Sequence, residues 1–375
     1  MFIEWSKILY IEDISPKQFI NLKTDKKIYL FGAGRTATHC IDICCGDHKI
    51  EGIIDNNSKL WGNFVEYRDQ QIPVLSLSSF IKEIERQNIK NIILLITTVF
   101  YAWEIIEQLE MIPELKKLHC YLHFLLRDNS QENPIFEFSK GDFKIPKRIH
   151  YCWFGEKNIP DYLQKYLETW KKHCPDYEII QWNETNYDIN KNRYMKEAFE
   201  NKKWGFVPDY ARLDIIYQHG GIYLDTDVEL IKPLTPLLCD KAFFGMGGND
   251  QINLGVGFGA VPNHLLIKEL RDFYDNKSFY KEDGSLNLLP CFNYQHPILK
   301  KYGFEIKNEY QNISENVVYP MEVLSPYGVC GMGKSFTKKT ISIHHTELSW
   351  INEQEKRALN RIKEKLKYKN FAINP

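Results

Sequence analysis

Two carboxylates one residue apart, Asp225 and Asp227, close the run Gly220-Gly221-Ile222-Tyr223-Leu224-Asp225-Thr226-Asp227. On an extended strand, residues i and i+2 project to one side, so the spacing aims both acids at a common point. Two hard, anionic oxygens converging there suit a divalent cation such as Mn²⁺ or Mg²⁺. A cation so held can grip a diphosphate. Just upstream, residues 207–219 read as a helix, with Pro208 in its first turn and Gly220 as its stop. Leu213, Ile216 and Tyr217 give it an apolar stripe. Asp209 and Arg212, three apart, share a face. They form either a surface ion pair or part of a site, and the helix's direct run into the acidic motif favours the site.

The elements that must position these residues come in two blocks. Over 27–125 strand and helix patterns alternate: strands at 27–31, 50–54 and 91–98, helical patterns at 38–45, 80–87 and 103–111. Gly32-Ala33-Gly34-Arg35-Thr36-Ala37 follows the first strand, with Asp55 about 20 positions on. That is a G-x-G-x-x-A turn in a strand–turn–helix setting. The expected fold class is therefore α/β, opening with a small Rossmann-like parallel-sheet domain over 1–130. Gly32, Gly34 and Asp55 are its candidate nucleotide-contacting residues, against the plainer reading that the fold needs the tight turn regardless of ligand. Residues 131–144 are polar and read as a linker.

The second block, 145–355, starts with a strand into Cys152-Trp153-Phe154-Gly155, then a helix over 160–173 and a strand over 177–182. It too reads as α/β. Gly255-Val256-Gly257-Phe258-Gly259-Ala260 imitates a phosphate turn, but its neighbours suggest strand, turn and strand. Close backbone packing is expected there, with Asp250 and Asn253 as acceptor-side candidates. Gly328-Val329-Cys330-Gly331-Met332-Gly333-Lys334-Ser335 has P-loop spacing. No strand feeds it and too little chain follows for a nucleotide-binding sheet, so Lys334 is kept only as a candidate near a donor diphosphate. The last segment, 356–375, is a basic tail with seven basic residues against one acidic over 356–369. Leu359, Ile362 and Leu366 are helically spaced within it. It reads as a solvated terminal helix, with peripheral contact to an anionic membrane face as the alternative.

Taken together, Ile149-His150-Tyr151-Cys152-Trp153-Phe154-Gly155, Asp209-x-x-Arg212 and Gly220-Gly221-x-Tyr223-x-Asp225-x-Asp227 resemble glycosyltransferase family 32. This D-x-D sugar-binding group includes yeast outer-chain mannosyltransferases and bacterial capsule enzymes, and clostridial toxin glucosyltransferase domains are related to it. The resemblance spans roughly 145–350. It implies a GT-A type glycosyltransferase domain, a nucleotide-sugar donor, Mn²⁺ or Mg²⁺, and retention at the anomeric carbon. By the same resemblance Trp153 stacks on the nucleobase, and Asp209 and Arg212 hold the donor sugar and its phosphate side. Asp225 meets ribose and metal, and Asp227 binds the metal. In Thr340-Ile341-Ser342-Ile343-His344-His345-Thr346-Glu347-Leu348-Ser349-Trp350, the resemblance implies a metal-completing histidine, His344 or His345, and a donor-closing Trp350. Asp225, Asp227 and Arg212 are thus the expected catalytic group. The retaining route, front-face or covalent, stays open.

Composition narrows the alternatives. A chain of 375 residues, 43% hydrophobic and 14% aromatic, supports about two domains. A net charge of −1 offers no field for nucleic acid. The N-terminus lacks a signal-peptide pattern, and no apolar run approaches the roughly 18–20 residues of a membrane span. Nine cysteines without zinc spacing read as reduced thiols. The expected setting is cytoplasmic, with contact at the inner membrane face as the alternative; the family resemblance implies bacterial surface-polysaccharide synthesis, with a UDP-sugar donor and a saccharide or lipid-linked saccharide acceptor. Two other functions compete: an oxidoreductase or nucleotide-sugar modifier run from the front domain, and a non-catalytic nucleotide-sugar binder.

Overall fold

In the computed structural model, which describes residues 10–11, 19, 26–34, 37–45, 48–115, 118–126, 135–155, 157–248, 251–327, 336–346 and 353–367, the chain divides into two units. One comprises 1–130 and 352–375, the other 131–351. Both are α/β.

The first unit is a seven-stranded sheet in the order β1-β7-β6-β2-β3-β5-β4. Its strands are β1 (Tyr10–Ile11), β2 (Lys27–Phe31), β3 (Ile50–Ile54), β4 (Phe64–Tyr67), β5 (Gln70–Leu75), β6 (Ile92–Ile96) and β7 (His119–Leu122). Every pairing is parallel except β4 against β5. Strand β6 is Ile-Ile-Leu-Leu-Ile and is buried at every position, as a parallel strand covered on both faces must be. The strand order reverses between β2 and β6, and the Gly32 turn leaves β2 at that point. In such sheets the reversal opens a crevice.

The terminal helix Glu353–Lys367 belongs to this unit and is no solvated tail. Leu359 and Ile362 are buried, the helix packs on Ala102–Glu110, and Arg361 donates to Glu107 at 2.7 and 3.0 Å. The helically spaced Leu359 and Ile362, outweighed by the charge count in the sequence, are the stripe that packs.

The second unit has the sheet β14-β15-β12-β13-β10-β8-β9 and a separate β11-β16 pair. These are β8 (Arg148–Cys152), β9 (Glu178–Trp182), β10 (Gly221–Tyr223), β11 (Val228–Leu230), β12 (Ala242–Gly245), β13 (Phe258–Ala260), β14 (Gln311–Ile313), β15 (Asn316–Tyr319) and β16 (Ser342–His344). Strands β9, β8 and β10 run parallel, and β13 runs against both β10 and β12. Alternation along β10 sends Tyr223 into a core with Tyr194, Leu213, Phe258 and Leu266. Ile222 and Leu224 enter a second core with Trp170, Phe243 and Leu324. Residues 135–144, polar enough to read as a linker, are part of this unit. Phe136 is buried and stacks on Tyr310 at 4.9 Å, and the Lys144 and Ile145 N–H groups donate to Leu238 O.

The glycine break is fixed by crowding. Gly220 has φ +60°, and a Cβ there would meet Pro262 at 2.7 Å. Gly221 has φ +103°, and its Cβ would lie 2.9 Å from Arg148 O. Beneath them His150 is fully buried. Its Nδ1 accepts from Trp182 Nε1 at 3.1 Å, so Nε2 carries the proton and donates to Gly220 O at 2.9 Å. Burial lowers the His150 pKa to about 4. The neutral ring is therefore favoured by folding, a contribution complete above the unfolded value of 6.5 and lost as pH falls toward 4. Urea melts between pH 7 and pH 4 should show about 3 kcal/mol of acid destabilisation from this residue, and His150→Gln should remove that part of the slope. A variant slope equal to the wild type's would refute the assignment.

Candidate active site

Strand β10 ends at Tyr223, and Asp225 and Asp227 sit beyond it in a turn that leads into β11. The convergence expected from strand alternation is made by this turn. The Asp225 N–H donates to Gly255 O at 3.1 Å, and the Val228 N–H donates back to Asp225 O at 3.1 Å. The Tyr223 hydroxyl donates to Asp225 Oδ1 at 3.0 Å.

Antiparallel pairing of β11 with β16 sets Val228 opposite His344. That register brings His344 Nε2 to 3.3 Å from Asp227 Oδ1. Among the described residues, Asp225, Asp227 and His344 each offer a ligand atom, all within 4.8 Å of one another. His345 goes elsewhere. Its Nε2 lies 2.9 Å from Glu229 Oε2, and its ring stacks on Tyr166 at 4.3 Å. Only its backbone serves the site, the N–H donating to Asp227 O at 3.0 Å. Of the two histidines, His344 joins the aspartates and His345 does not. Burial works against a charged His344, but the Asp227 carboxylate and its hydrogen bond outweigh it and the pKa rises. Two carboxylate oxygens and an imidazole nitrogen form a donor set that fits Mn²⁺ well, and Mg²⁺ less well because of the nitrogen.

The helix Pro208–His219 presents Asp209 and Arg212 to this cluster. Both are buried, at 3% and 4% exposure, which rules out a surface ion pair. Arg212 Nη2 donates to Asp209 Oδ1 at 2.5 Å, Nη1 lies 3.8 Å from Asp225 Oδ1, and the guanidinium sits 5.4 Å from the Tyr223 ring centroid. Burial opposes the cation, yet Asp225 and Asp209 hold the Arg212 pKa well above its usual value. Burial pushes Asp209 up to about 6 against the pull of Arg212. One permanent cation therefore stands between two acids.

Trp153 follows β8 directly. It is half-buried, with its backbone N–H on Trp182 O at 2.8 Å and its indole N–H on Lys157 O at 2.6 Å. Asn253 accepts from the Gly255 N–H at 2.9 Å and so shapes the turn under Asp225. Asp250, Lys334 and Trp350, with the P-loop-like run 328–335, lie outside the described residues. In the first unit, Asp55 at the end of β3 reaches the Gly32–Gly34 turn that leaves β2. Asp55 Oδ2 accepts from the Ala33 N–H at 2.8 Å and Oδ1 from the Asn57 N–H at 2.7 Å. Thr97 Oγ1 donates to Gly32 O at 2.8 Å. Asp55 thus braces the Gly32–Gly34 turn through Oδ2 and its own loop through Oδ1, which gives this acid a structural task.

Residues not foreseen are Tyr223 as a hydroxyl donor and Gly255 as the floor of the site. Tyr223 was visible two positions before Asp225; nothing local marked Gly255. A Cβ on Gly255 would lie 2.2 Å from Asp225 Oδ2. Gly255→Ala is thus expected to swing the Asp225 carboxylate aside rather than break the fold. It should weaken Mn²⁺ binding at least about 10-fold with little change in melting temperature. Calorimetric titration with Mn²⁺ checks this; wild-type affinity in the variant would show that Asp225 is no ligand.

Residues 160–244 match the family model described as a glycosyltransferase sugar-binding region containing a DXD motif. By this match the segment is similar to the sugar-binding region of D-x-D glycosyltransferases. The chain is 31% identical over 140 residues to inositol phosphoceramide mannosyltransferase 1 of Schizosaccharomyces pombe, covering 33% of this chain and 41% of that protein. It is 32% identical over 142 residues to mannosyl phosphorylinositol ceramide synthase SUR1 of Saccharomyces cerevisiae, covering 36% of this chain and 37% of that protein. The chain thus spans about two fifths of the length of these relatives. A solved structure titled PaToxG glycosyltransferase aligns over 42% of this chain and 68% of its own at 19% identity, with a TM-score of 0.34. The matched segment contains Asp209, Arg212, Asp225 and Asp227; His344, the third member of the cluster, lies 100 residues beyond its end.

Proposed function

We propose that the second unit is a metal-dependent, retaining glycosyltransferase of GT-A type. It moves a sugar from a nucleotide-diphosphate donor to a saccharide or lipid-linked saccharide acceptor. The observation that carries this reading is the Asp225-Asp227-His344 cluster with Arg212 buried beside it.

Breaking a glycosyl–diphosphate bond builds negative charge on the leaving phosphate, and charge placed to meet it lowers the barrier. A bound Mn²⁺ or Mg²⁺ would supply Lewis-acid stabilisation of that diphosphate. Arg212 stays cationic at every working pH and adds a second positive group. Its bond to Asp209 fixes the guanidinium and leaves the other Asp209 oxygen facing the Tyr194 hydroxyl at 3.4 Å. Trp153, with its indole N–H already used by Lys157 O, offers a face for a nucleobase.

Retention and the UDP donor rest on the family resemblance; the mannosyl names of the relatives support a mannosyl donor instead. Their inositol phosphoceramide names support a lipid-linked acceptor, and a role in bacterial surface-polysaccharide assembly at the inner membrane face accords with that. The basic helix Glu353–Lys367 contributes less free charge to such a surface than its composition suggests, because Arg361 is paired with Glu107 and Glu104.

The test is incubation with UDP-glucose, UDP-galactose, UDP-N-acetylglucosamine, GDP-mannose and GDP-glucose, with Mn²⁺ or Mg²⁺, reading released nucleotide. Release that EDTA abolishes and added Mn²⁺ restores supports the reading. No release from any donor, or release indifferent to EDTA, overturns it.

A further inference from the structure

Behind Asp209 lies a group of polar atoms that nothing in the fold uses. Both amide atoms of Gln295 and the hydroxyls of Tyr274 and Tyr294 are buried without a hydrogen-bond partner among the described residues. Gln295 is 2% exposed and Tyr274 fully buried. The rings of Tyr194, Tyr274 and Tyr294 pack edge to face at 5.1 to 6.4 Å. Tyr194 alone of the three reaches Asp209, at 3.4 Å.

Cys291, the residue before the helix Phe292–Lys301, carries the line from Asp209 to Gln295. Burial pushes its thiol up to about 12, with the Asp209 charge adding to the effect. Gln295 stands four residues on and so lies on the same helical face. Its amide lies near the Cys291 thiol, and the Tyr294 hydroxyl near Asn287, yet neither pair reaches hydrogen-bond geometry.

An unpaired buried amide destabilises a fold, and a buried side chain of the same shape without polar atoms would serve packing better. Several such atoms in one place, next to the charged pair of a sugar site, call for a ligand that pairs with them. The group offers donors and acceptors but no charge of its own, and the neighbouring Asp209 is already paired with Arg212. That suits the neighbouring hydroxyls of a neutral hexose. It disfavours a sugar acid, whose carboxylate would find no unpaired cation among these groups, and a deoxysugar, which would leave the amide unpaired.

We propose that Gln295, Tyr274 and Tyr294 form a hydroxyl-reading wall of the donor-sugar subsite, selecting a neutral, fully hydroxylated hexose. The assignment rests on the transferase reading above.

Two variants test it, Gln295→Met and Tyr294→Phe, each keeping the packing volume. The measurements are melting temperature and kcat/KM for UDP-glucose against UDP-galactose and GDP-mannose against GDP-glucose, epimers on one nucleotide. If the wall reads hydroxyls, Gln295→Met shifts the epimer ratio by about 10-fold or more while the protein melts at the same or a higher temperature. Tyr294→Phe shifts it in the same direction by a smaller factor. An active wild type whose epimer ratio moves less than about 2-fold in both variants, well short of what a lost hydroxyl contact produces, overturns the wall alone. So does an equal loss on all donors with a lowered melting temperature, the mark of a purely structural cluster. A wild type that releases nucleotide from no donor overturns the transferase reading and the wall together.

Discussion

Asp227→Asn is expected to slow nucleotide release by about 10²–10³-fold, the scale for removing one main group that stabilises developing charge. The change keeps the shape but turns one acceptor oxygen into a donor NH₂ and removes the anion 3.3 Å from His344 Nε2. The fold should tolerate it, because Asp227 is held through its backbone carbonyl by the His345 N–H at 3.0 Å and not through its carboxylate alone. Melting temperature should therefore stay close to wild type while Mn²⁺ affinity collapses. Without the carboxylate His344 loses the larger of the two charges that raise its pKa, Asp225 being the other, so the histidine should titrate at lower pH in the variant, measurable by NMR. Full activity in Asp227→Asn would leave no role for a metal at this turn.

Arg212→Ala should do damage of another kind. The guanidinium is buried between Asp209 and Asp225, and Asp209 is itself 3% exposed. Removing one partner of a buried ion pair leaves the other charge without compensation, at a cost of about 3–5 kcal/mol. Asp209 already has a raised pKa, about 6, with Arg212 pulling it down. Once the cation is gone that pKa climbs further and the carboxyl takes up a proton on folding. A raised carboxyl pKa means that the folded state binds the proton more tightly. The deficit should therefore shrink as pH falls and widen as pH rises. Urea midpoints for wild type and variant at pH 5 and pH 8 check this; a pH-independent deficit would show that Asp209 does not carry the loss. Arg212→Lys should recover part of the stability but little turnover, since an ammonium cannot reach two acids as a fork does.

The uneven legibility of this chain has physical causes. Strands at 27–31 and 50–54 were readable because a parallel strand under helices is almost wholly apolar. The hairpin β4–β5 escaped notice: Phe64 and Gln71 face solvent and Pro73 interrupts the pattern. Asp209, Arg212, Asp225 and Asp227 stood out because spacing along one helix and one short segment brings them together, although a turn and not a pleat does so for the last two. The choice between His344 and His345 was closed to local reading. It depends on the register of β16 against β11, which pairs residues more than 100 positions apart. Gly255 and the tyrosines around Asp209 are the same case, since their roles depend on contacts that only the folded chain makes.

The pairing of β16 with β11 also sets when the active site can exist. Its acidic half is made by residues 209–227, but the imidazole that completes it arrives on one of the last strands of the second unit. Chains fold as they leave the ribosome, starting from the N-terminal end. A nascent polypeptide here would carry the aspartates for well over a hundred residues of elongation before His344 emerges. Under the proposed transferase reading, the growing chain stays catalytically silent until its second unit is nearly all made, and a product cut short before residue 344 would retain much of the scaffold without the complete cluster.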